Sequence, residues 1–438
     1  CGAVVSAQAT WHHVGSQLQS DSGWTIKVNT SEAGPLTINN DCHVAHPETP
    51  DYIESNGTET YLLDLSEPID DGSYIVGTGA YSFRRNFPYL HKIVLPDTLK
   101  SIPSGAAVLF GSQSYLKEIT PCFPVSLASY SNRAFDTGSN MNQDLFFLND
   151  AFASLPKQGI NGWKGTNVYF GVGMTSFGDY LFQGRGNPTR FYFFGDYPTS
   201  YGGNFTSQQG CKDNGMLLCY PKGNASWEAF LAANARVPTA SEISSTQAYY
   251  PGVTPTAIVT NGVWKSIGNK ARVVAWDPWD EKDWFVVKGS EGSVGTGSNI
   301  VIPEYGPQLR STLSDSVVCV APTTKQTYNG LDYNLTGYKL EKYAGDGVWT
   351  EVASGTENTY TFANSTVGSG TYRLVWQWQL DLRFKINLHD DIRPEGGVTV
   401  TLDPEPDSEG FYQPNTVVTL TAVDGTNANW GSRFLKNR

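Results

Sequence analysis

Residues Tyr89 to Pro103 read YLHKIVLPDTLKSIP, and Tyr115 to Phe135 read YLKEITPCFPVSLASYSNRAF. The two stretches align on one line: a leading Leu, two spaced apolar residues, a Pro, then a second apolar residue and a Ser, with an aromatic at the end. Weaker copies follow at DLFFLNDAFASLP from Asp144, NVYFGVGMTSFGDYLF from Asn167 and TRFYFFGDYPTSYGGNF from Thr189. The leading apolar positions Leu90, Leu116, Leu145, Val168 and Phe191 are spaced by 26, 29, 23 and 23 residues. The closing aromatics Phe83, Phe110, Phe135, Trp163, Phe182 and Phe205 keep a similar period.

A period of about 20–29 residues with one short β segment per unit is the signature of a leucine-rich-repeat-type solenoid, in which each unit buries its apolar edge only against its neighbours. The Pro after each strand ends its hydrogen bonding, so the chain turns back. Each closing aromatic is expected to plug the layer beneath it. The competing reading is a set of unrelated strands that share a P-x-x-L turn.

The segments YIVGTGAYSF, HKIVLPDTLKSI and LKEITPCFPVSLASYSNRAF resemble the degenerate units of BspA-like leucine-rich-repeat bacterial surface proteins. The likeness runs from about Asp64 to Phe205 and weakens after the first two units, where Gly and aromatics stand in place of Leu and Ile. It implies an exported cell-surface protein acting in adhesion.

Around the repeats the chain divides further. SGWTIKVNTSEAGPLTI and ETYLLDLSEPI alternate apolar and polar residues as half-buried strands do, which makes residues 10–63 an N-terminal β cap. The repeats then fill 64–237, ended by a helix in YPKGNASWEAFLAANARVP, with Asn224 as N-cap, Trp227, Phe230 and Leu231 on one face and Pro238 beyond the stop. Residues 238–308 form a Trp-rich β segment, and 309–382 show strands at sandwich spacing, as in an immunoglobulin-like domain. Residues 383–438 resemble an internalin-B-type repeat, matched at Phe411-Tyr412 and Val418 to Ala422 and stopping soon after Trp430. The fold class is therefore mainly β, a capped irregular solenoid followed by small β domains.

Composition agrees. Of 438 residues only 16% are charged, whereas 45 are Gly, 23 Tyr, 21 Phe and 12 Trp, the mixture of a turn-rich β protein rather than of a coiled coil or a disordered chain. Net charge is −12 with no cluster of Lys and Arg, so the electrostatic footprint of a nucleic-acid binder is missing. The opening CGAVVSAQA ends on the small-residue pattern of a signal-peptide tail at residues 1–9; alternatively Cys1 is the lipidated first residue of a mature lipoprotein, which would tie the chain to a membrane. Both readings place the protein outside the cytoplasm.

The six cysteines, Cys1, Cys42, Cys122, Cys211, Cys219 and Cys319, are too sparse for a disulfide framework. Cys211 and Cys219 are eight apart and are candidates for one hairpin disulfide, against the alternative of two buried thiols. Sequons at Asn29, Asn56, Asn204, Asn224, Asn334 and Asn364 are acceptors only in a glycosylating host.

No nucleophile, metal or phosphate motif stands above background, so the chain reads as non-catalytic and without cofactor or metal. His12-His13 lies beside the presumed cleavage point and makes a poor metal site, and His389-Asp390-Asp391, which could hold a cation through oxygen ligands, reads better as a solvated turn. The densest polar-aromatic cluster is WDPWDEKDW, in which Trp276, Trp279 and Trp284 interleave with Asp277, Asp280, Glu281 and Asp283. Aromatic faces stack on sugar rings and carboxylates accept hydroxyl hydrogen bonds, so Trp276, Asp277, Trp279, Asp280 and Trp284 form a candidate glycan surface. The opposing reading makes these tryptophans core anchors beside a solvated turn. Trp376 and Trp378 in WQWQ share one side of a strand, as sandwich-core residues do.

The leading expectation is adhesion or extracellular assembly through the repeats and β modules, with an extracellular protein or glycan as partner. The alternatives are a carbohydrate-binding module of a polysaccharide-degrading system and a structural subunit of an extracellular filament or coat, the latter built by self-assembly through strand addition.

Overall fold

The structure is a computed structural model. It describes residues 11–39, 52–53, 59–79, 90–96, 98–102, 116–120, 127–130, 142–160, 165, 167–181, 189–205, 216–266, 271–289, 306–313, 315–321, 323–328, 331–386, 399–413 and 416–423. The chain is mainly β, with several separate sheets and two helices among the described residues. It forms two compact units, residues 1–322 with 337–377, and residues 323–336 with 378–438.

The first unit opens with a three-stranded antiparallel sheet, Trp11–Val14, Gln17–Ser20 and Thr25–Lys27. Its alternation buries Trp11, Leu18, Trp24 and Ile26 to 2% exposure or less. Parallel pairing begins earlier than the sequence suggests. Pro35–Ile38 lies alongside Tyr74–Thr78, which continues to Ser101–Ile102 and Ser129–Tyr130, while Glu59–Asp64, Leu90–Val94 and Glu118–Thr120 form a second parallel ladder. Each repeat thus contributes one strand to each of two ladders. The second strand has only two residues in most repeats, too short to carry a period of its own.

The same two-ladder pattern recurs further along. Leu145–Phe147, Asn167–Phe170, Thr189–Phe193, Met216–Pro221 and Ala271–Trp276 pair in parallel. Ser154–Leu155, Ser176–Phe177 and Ser200–Tyr201 form the companion ladder. Leu145, Val168, Phe191, Leu218 and Val273 stand abreast at 0–1% exposure. The leading positions read from the sequence are therefore in register for Leu145, Val168 and Phe191. Burial of such a side chain contributes about 1.5–3 kcal/mol, so this row is a principal source of stability. Beside it, Phe147, Phe170 and Phe193 stack inward with ring centroids 5.8 and 5.1 Å apart.

Adjacent repeats approach so closely at their turns that several glycine positions exclude any side chain, Gly195 and Gly202 among them. A Cβ on Gly195 would lie 2.6 Å from the Val172 carbonyl oxygen, and one on Gly202 would lie 2.5 Å from the Asp179 amide nitrogen. Of the closing aromatics, Phe205 is buried at 1% exposure against Phe177, Tyr201 and Trp264. Phe83, Phe110, Phe135, Trp163 and Phe182 lie outside the described residues.

The expected helix is present as α1, Ala225–Asn234, with the Asn224 side chain accepting from the Trp227 amide and Trp227 fully buried. It does not end the sheet. After it comes α2, Ala240–Tyr249, started by a reciprocal capping box between Thr239 and Glu242. The chain then returns through Ala257–Val259 to Ala271–Trp276, which joins the same sheet beyond the residue-237 boundary expected from sequence. The helix α2 went unread because ASEISSTQAY has almost no apolar stripe; its only signal is the cap.

The Trp-rich segment is divided rather than a unit of its own. Ala271–Trp276 belongs to the repeat sheet, and Trp284–Gly289 pairs with Gln308–Leu309 and, in parallel, with residues 372–376 of the strand Tyr372–Leu380. That sheet continues into residues 337–345 and their antiparallel partner Val348–Gly355. Ser316–Val320 and Thr359–Ala363 make a facing two-stranded sheet, and Phe285 stacks on Phe362 across the layer at 4.0 Å. Trp376 is fully buried here, as its period-two spacing implies.

In the second unit, Lys325–Tyr328 pairs with residues 331–334, and Thr399–Asp403 with Thr419–Val423. Phe384 and Tyr412 bridge and stack at 5.5 Å. Arg383 is gripped by Asp381, Asp407 and Glu409 and lies over the Phe411 ring.

Candidate functional site

The outward side of the long repeat sheet carries a second aromatic row. Phe146, Tyr169 and Tyr192 stack nearly parallel, with centroids 4.8 and 4.6 Å apart. In a repeat protein that row faces solvent or a ligand. Here the chain itself covers it with the turn from Trp276 to Trp284, which joins the repeat sheet to the facing pair of sheets.

That placement corrects the glycan surface expected from WDPWDEKDW. Trp276 is 7% exposed and Trp284 is fully buried, so neither offers a face to a sugar. The Trp276 indole N–H donates to the Phe193 carbonyl at 2.9 Å, with its ring 4.7 Å from Tyr192. The Trp284 indole N–H donates to the Pro278 carbonyl at 2.8 Å, with its ring 5.4 Å from Phe194. Burial of an aromatic this size with its N–H satisfied is the arrangement that stabilises most.

Trp279 is half-buried, edge-on to Phe194 and Trp349 at 5.3 and 5.8 Å. Asp277 is a turn-former: one oxygen accepts from the Trp279 amide at 3.1 Å and the other from the Tyr343 hydroxyl, which in turn accepts from the Gly347 amide. Asp280 is exposed, with its amide donating to the Asp277 carbonyl at 3.3 Å. Thr371 completes the turn by donating to the Trp279 and Lys282 carbonyls and accepting from the Trp284 amide. Of the five residues, Asp280 is exposed and Asp277 and Trp279 are half-buried, while Trp276 and Trp284 are buried.

Sequence reading missed the polar rim of this turn. Asp144 accepts from the Asn167 amide at 2.9 Å, and Glu281 accepts from the Tyr192 hydroxyl at 3.4 Å. The Lys282 ammonium lies 5.3 Å from the Tyr169 ring centre, and Arg190 lies 5.4 Å from that of Tyr250. Burial raises the carboxyl groups of Asp144 and Glu281 above their ordinary range and pushes the Tyr169 and Tyr192 hydroxyls up as well. The contacts that cross from sheet to turn, Tyr192 to Glu281 and Tyr169 to Lys282, join residues 89 and 113 positions apart, so no motif announces them. Glu281 and Lys282, held against Tyr192 and Tyr169, fasten the turn to the sheet, while Asp144 is held within the sheet by Asn167.

The outward row of the earlier ladder is half-buried among the described residues. Leu63, Ile93 and Ile119 point inward at 0–1% exposure, so Leu62, Lys92 and Glu118 point outward, with Lys92 and Glu118 paired at 2.8 Å.

Cys219 is a buried thiol in the strand Met216–Pro221, and burial raises it well above the ordinary range; its candidate partner Cys211 lies outside the described residues. Cys319 is likewise buried and pushed up to about 12. Cys1, residues 2–9 and His389-Asp390-Asp391 also lie outside the described residues. Among the described residues, no three His, Cys, Asp or Glu side chains converge as metal ligands, and no helix is long and apolar enough to cross a membrane.

No family model and no curated protein matches the chain. Among solved structures, the pneumococcal vaccine antigen PcpA aligns over 48% of this chain and 82% of its own, with 14% identity and a TM-score of 0.20.

Proposed function

We propose that the chain is an exported, non-catalytic bacterial surface protein of the BspA-like leucine-rich-repeat kind, which acts in adhesion or extracellular assembly. The observation that carries this reading is the pair of parallel ladders, in which repeats of 23–30 residues stack in register behind an antiparallel cap. Such a scaffold presents rows of side chains across successive repeats, a way to bind a large partner without a cleft. The outward row with Leu62, Lys92 and Glu118 is the contact surface, since the later aromatic row is covered by the chain itself. An extracellular protein suits that mixed polar row better than a glycan does.

The test is display of the full chain on a non-adherent bacterium, with adherence to immobilised extracellular-matrix proteins measured against undisplayed cells. Adherence that rises with display and falls with Lys92→Glu supports the reading. Display without adherence or self-association overturns it, and binding on a glycan array that Trp279→Ala abolishes transfers the function to carbohydrate recognition.

A further inference from the structure

The pair His12-His13, a poor metal site by sequence, sits where the N-terminal hairpin meets the turn that precedes Tyr74–Thr78. His12 places Nδ1 3.0 Å from Asp70 Oδ2 and Nε2 3.0 Å from Asp21 Oδ1. His13 places Nδ1 2.7 Å from Asp71 Oδ2 and Nε2 3.1 Å from the Thr30 carbonyl oxygen. All four partners are acceptors when the aspartates are ionised. A neutral imidazole has one N–H and one lone pair, so it satisfies one partner and turns its lone pair on the other; only the imidazolium donates to both.

The remaining neighbours reinforce this. The Ser73 hydroxyl is 3.4 Å from His13 Nδ1, but it is engaged by Asp71 and accepts from the Gly34 amide, while Asp71 sits closer to the ring. Asp70 also accepts from the His13 backbone amide at 3.0 Å, and its own amide donates to the Trp11 carbonyl at 2.9 Å. The His13 side chain is 1% exposed, so a lone pair facing Asp71 there has no water to relieve it.

We propose that His12 and His13 form a proton-operated clasp: as imidazolium ions they fix the hairpin Trp11–Ser20 to the turn at residues 69–73, and loss of their protons loosens that hairpin. The groups facing the two rings are Asp21 on the hairpin, Asp70 and Asp71 on the turn, and the Thr30 carbonyl on the following loop.

The direction of the effect follows from the shifts. The bonds to Asp21 and Asp70 raise His12; burial opposes the charge on His13, but Asp71 and the Thr30 carbonyl outweigh it and raise that ring too. Asp70 is lowered by the His13 amide and by His12; burial works against ionisation of Asp71, yet Ser73 and His13 leave it lowered. A raised histidine stabilises below its unfolded value of about 6.5 and stops doing so as pH climbs through the folded value; a lowered aspartate stabilises above about 3.9. The clasp is therefore tightest between about pH 4 and 6.5 and opens on the alkaline side.

The experiment is an NMR titration of the histidine rings of the full chain, which has 6 His, with His12→Gln and His13→Gln for assignment. It is paired with hydrogen exchange of residues 11–20, corrected for the intrinsic pH dependence, at pH 6 and 8.5. Both rings are expected to titrate above 6.5, and hairpin protection to fall at the higher pH as the imidazolium donors are lost. Asp70→Asn with Asp71→Asn should erase that pH dependence. A His13 titrating at or below 6.5, or protection equal at the two pH values, overturns the proposal, and both readings come from the unaltered chain even if a variant fails to fold.

Discussion

Arg310 is 7% exposed, and its guanidinium lies 3.9 Å from Asp283 Oδ2 and directs its hydrogen bonds to the loop at residues 364–370. Its Nε donates to Asn364 Oδ1 at 3.0 Å, one terminal nitrogen donates to the Gly368 and Gly370 carbonyls at 2.9 and 2.8 Å, and the other to the Asn364 and Val367 carbonyls at 3.0 and 3.3 Å. Its plane also lies 5.7 and 5.1 Å from the Phe362 and Tyr372 ring centres. Arg310→Met keeps much of the aliphatic stem and removes all five donors. Hydrogen bonds to a charged group contribute about 1.5–3 kcal/mol each, but the loop is at the surface and water takes over several carbonyls, so the net loss should be about 3–5 kcal/mol. Arg310→Lys should recover less than half, because an ammonium has three donors and no planar fork. The chain has two units, so a single unfolding midpoint is not the right readout. Hydrogen exchange of the pair Ser316–Val320 and Thr359–Ala363 is, because that sheet is continuous with the loop. A loss below about 1 kcal/mol in Arg310→Met would refute the view that this side chain organises the loop.

Three further outcomes are expected. Phe191→Ala should cost about 3–5 kcal/mol in hydrogen-exchange stability of the long sheet, and Gly195→Ala should also destabilise it, since its Cβ meets a neighbouring backbone that has nowhere to go. Arg236 holds the Glu242 carboxyl down to about 2, so its support of α2 is complete above an ordinary carboxylate value and fades only as pH falls towards 2; helicity of Glu242→Gln should lose that acid-dependent step, read by exchange of residues 240–249. In a glycosylating host the folded fraction should carry no glycan on Asn364 or Asn224 in glycopeptide mass spectrometry, because Nδ2 of Asn364 donates to the Arg310 carbonyl at 3.0 Å and Nδ2 of Asn224 to Asp196 at 2.9 Å.

What the sequence revealed was whatever one strand and its neighbour decide. The register of Leu145, Val168 and Phe191 and the cap at Asn224 rest on local pattern, and both are present. The drift from Leu and Ile to aromatics in LFF, NVYF and RFYF looked like decay of the repeat. It reflects instead a sheet covered on both faces, where continuous apolar runs are expected. What covers it, the turn at Trp276–Trp284, lies 80 or more residues away, so pattern alone ranks its tryptophans with exposed platforms. Asp144 and Glu281 are invisible for the same reason: their meaning exists only once the turn has landed.

The late arrival of that cover has a kinetic side. Leu218 finds its partner Val273 only 55 positions further on, more than twice the 23-residue step between Leu145 and Val168. Closing so long a loop is the slow part of building parallel structure. Until it closes, the stacked rings of Phe146, Tyr169 and Tyr192 stand uncovered, a sticky strip on a growing chain. A polypeptide ending before Ala271 would keep that strip permanently, so aggregation of such a piece would report on the missing cover rather than on faulty repeats.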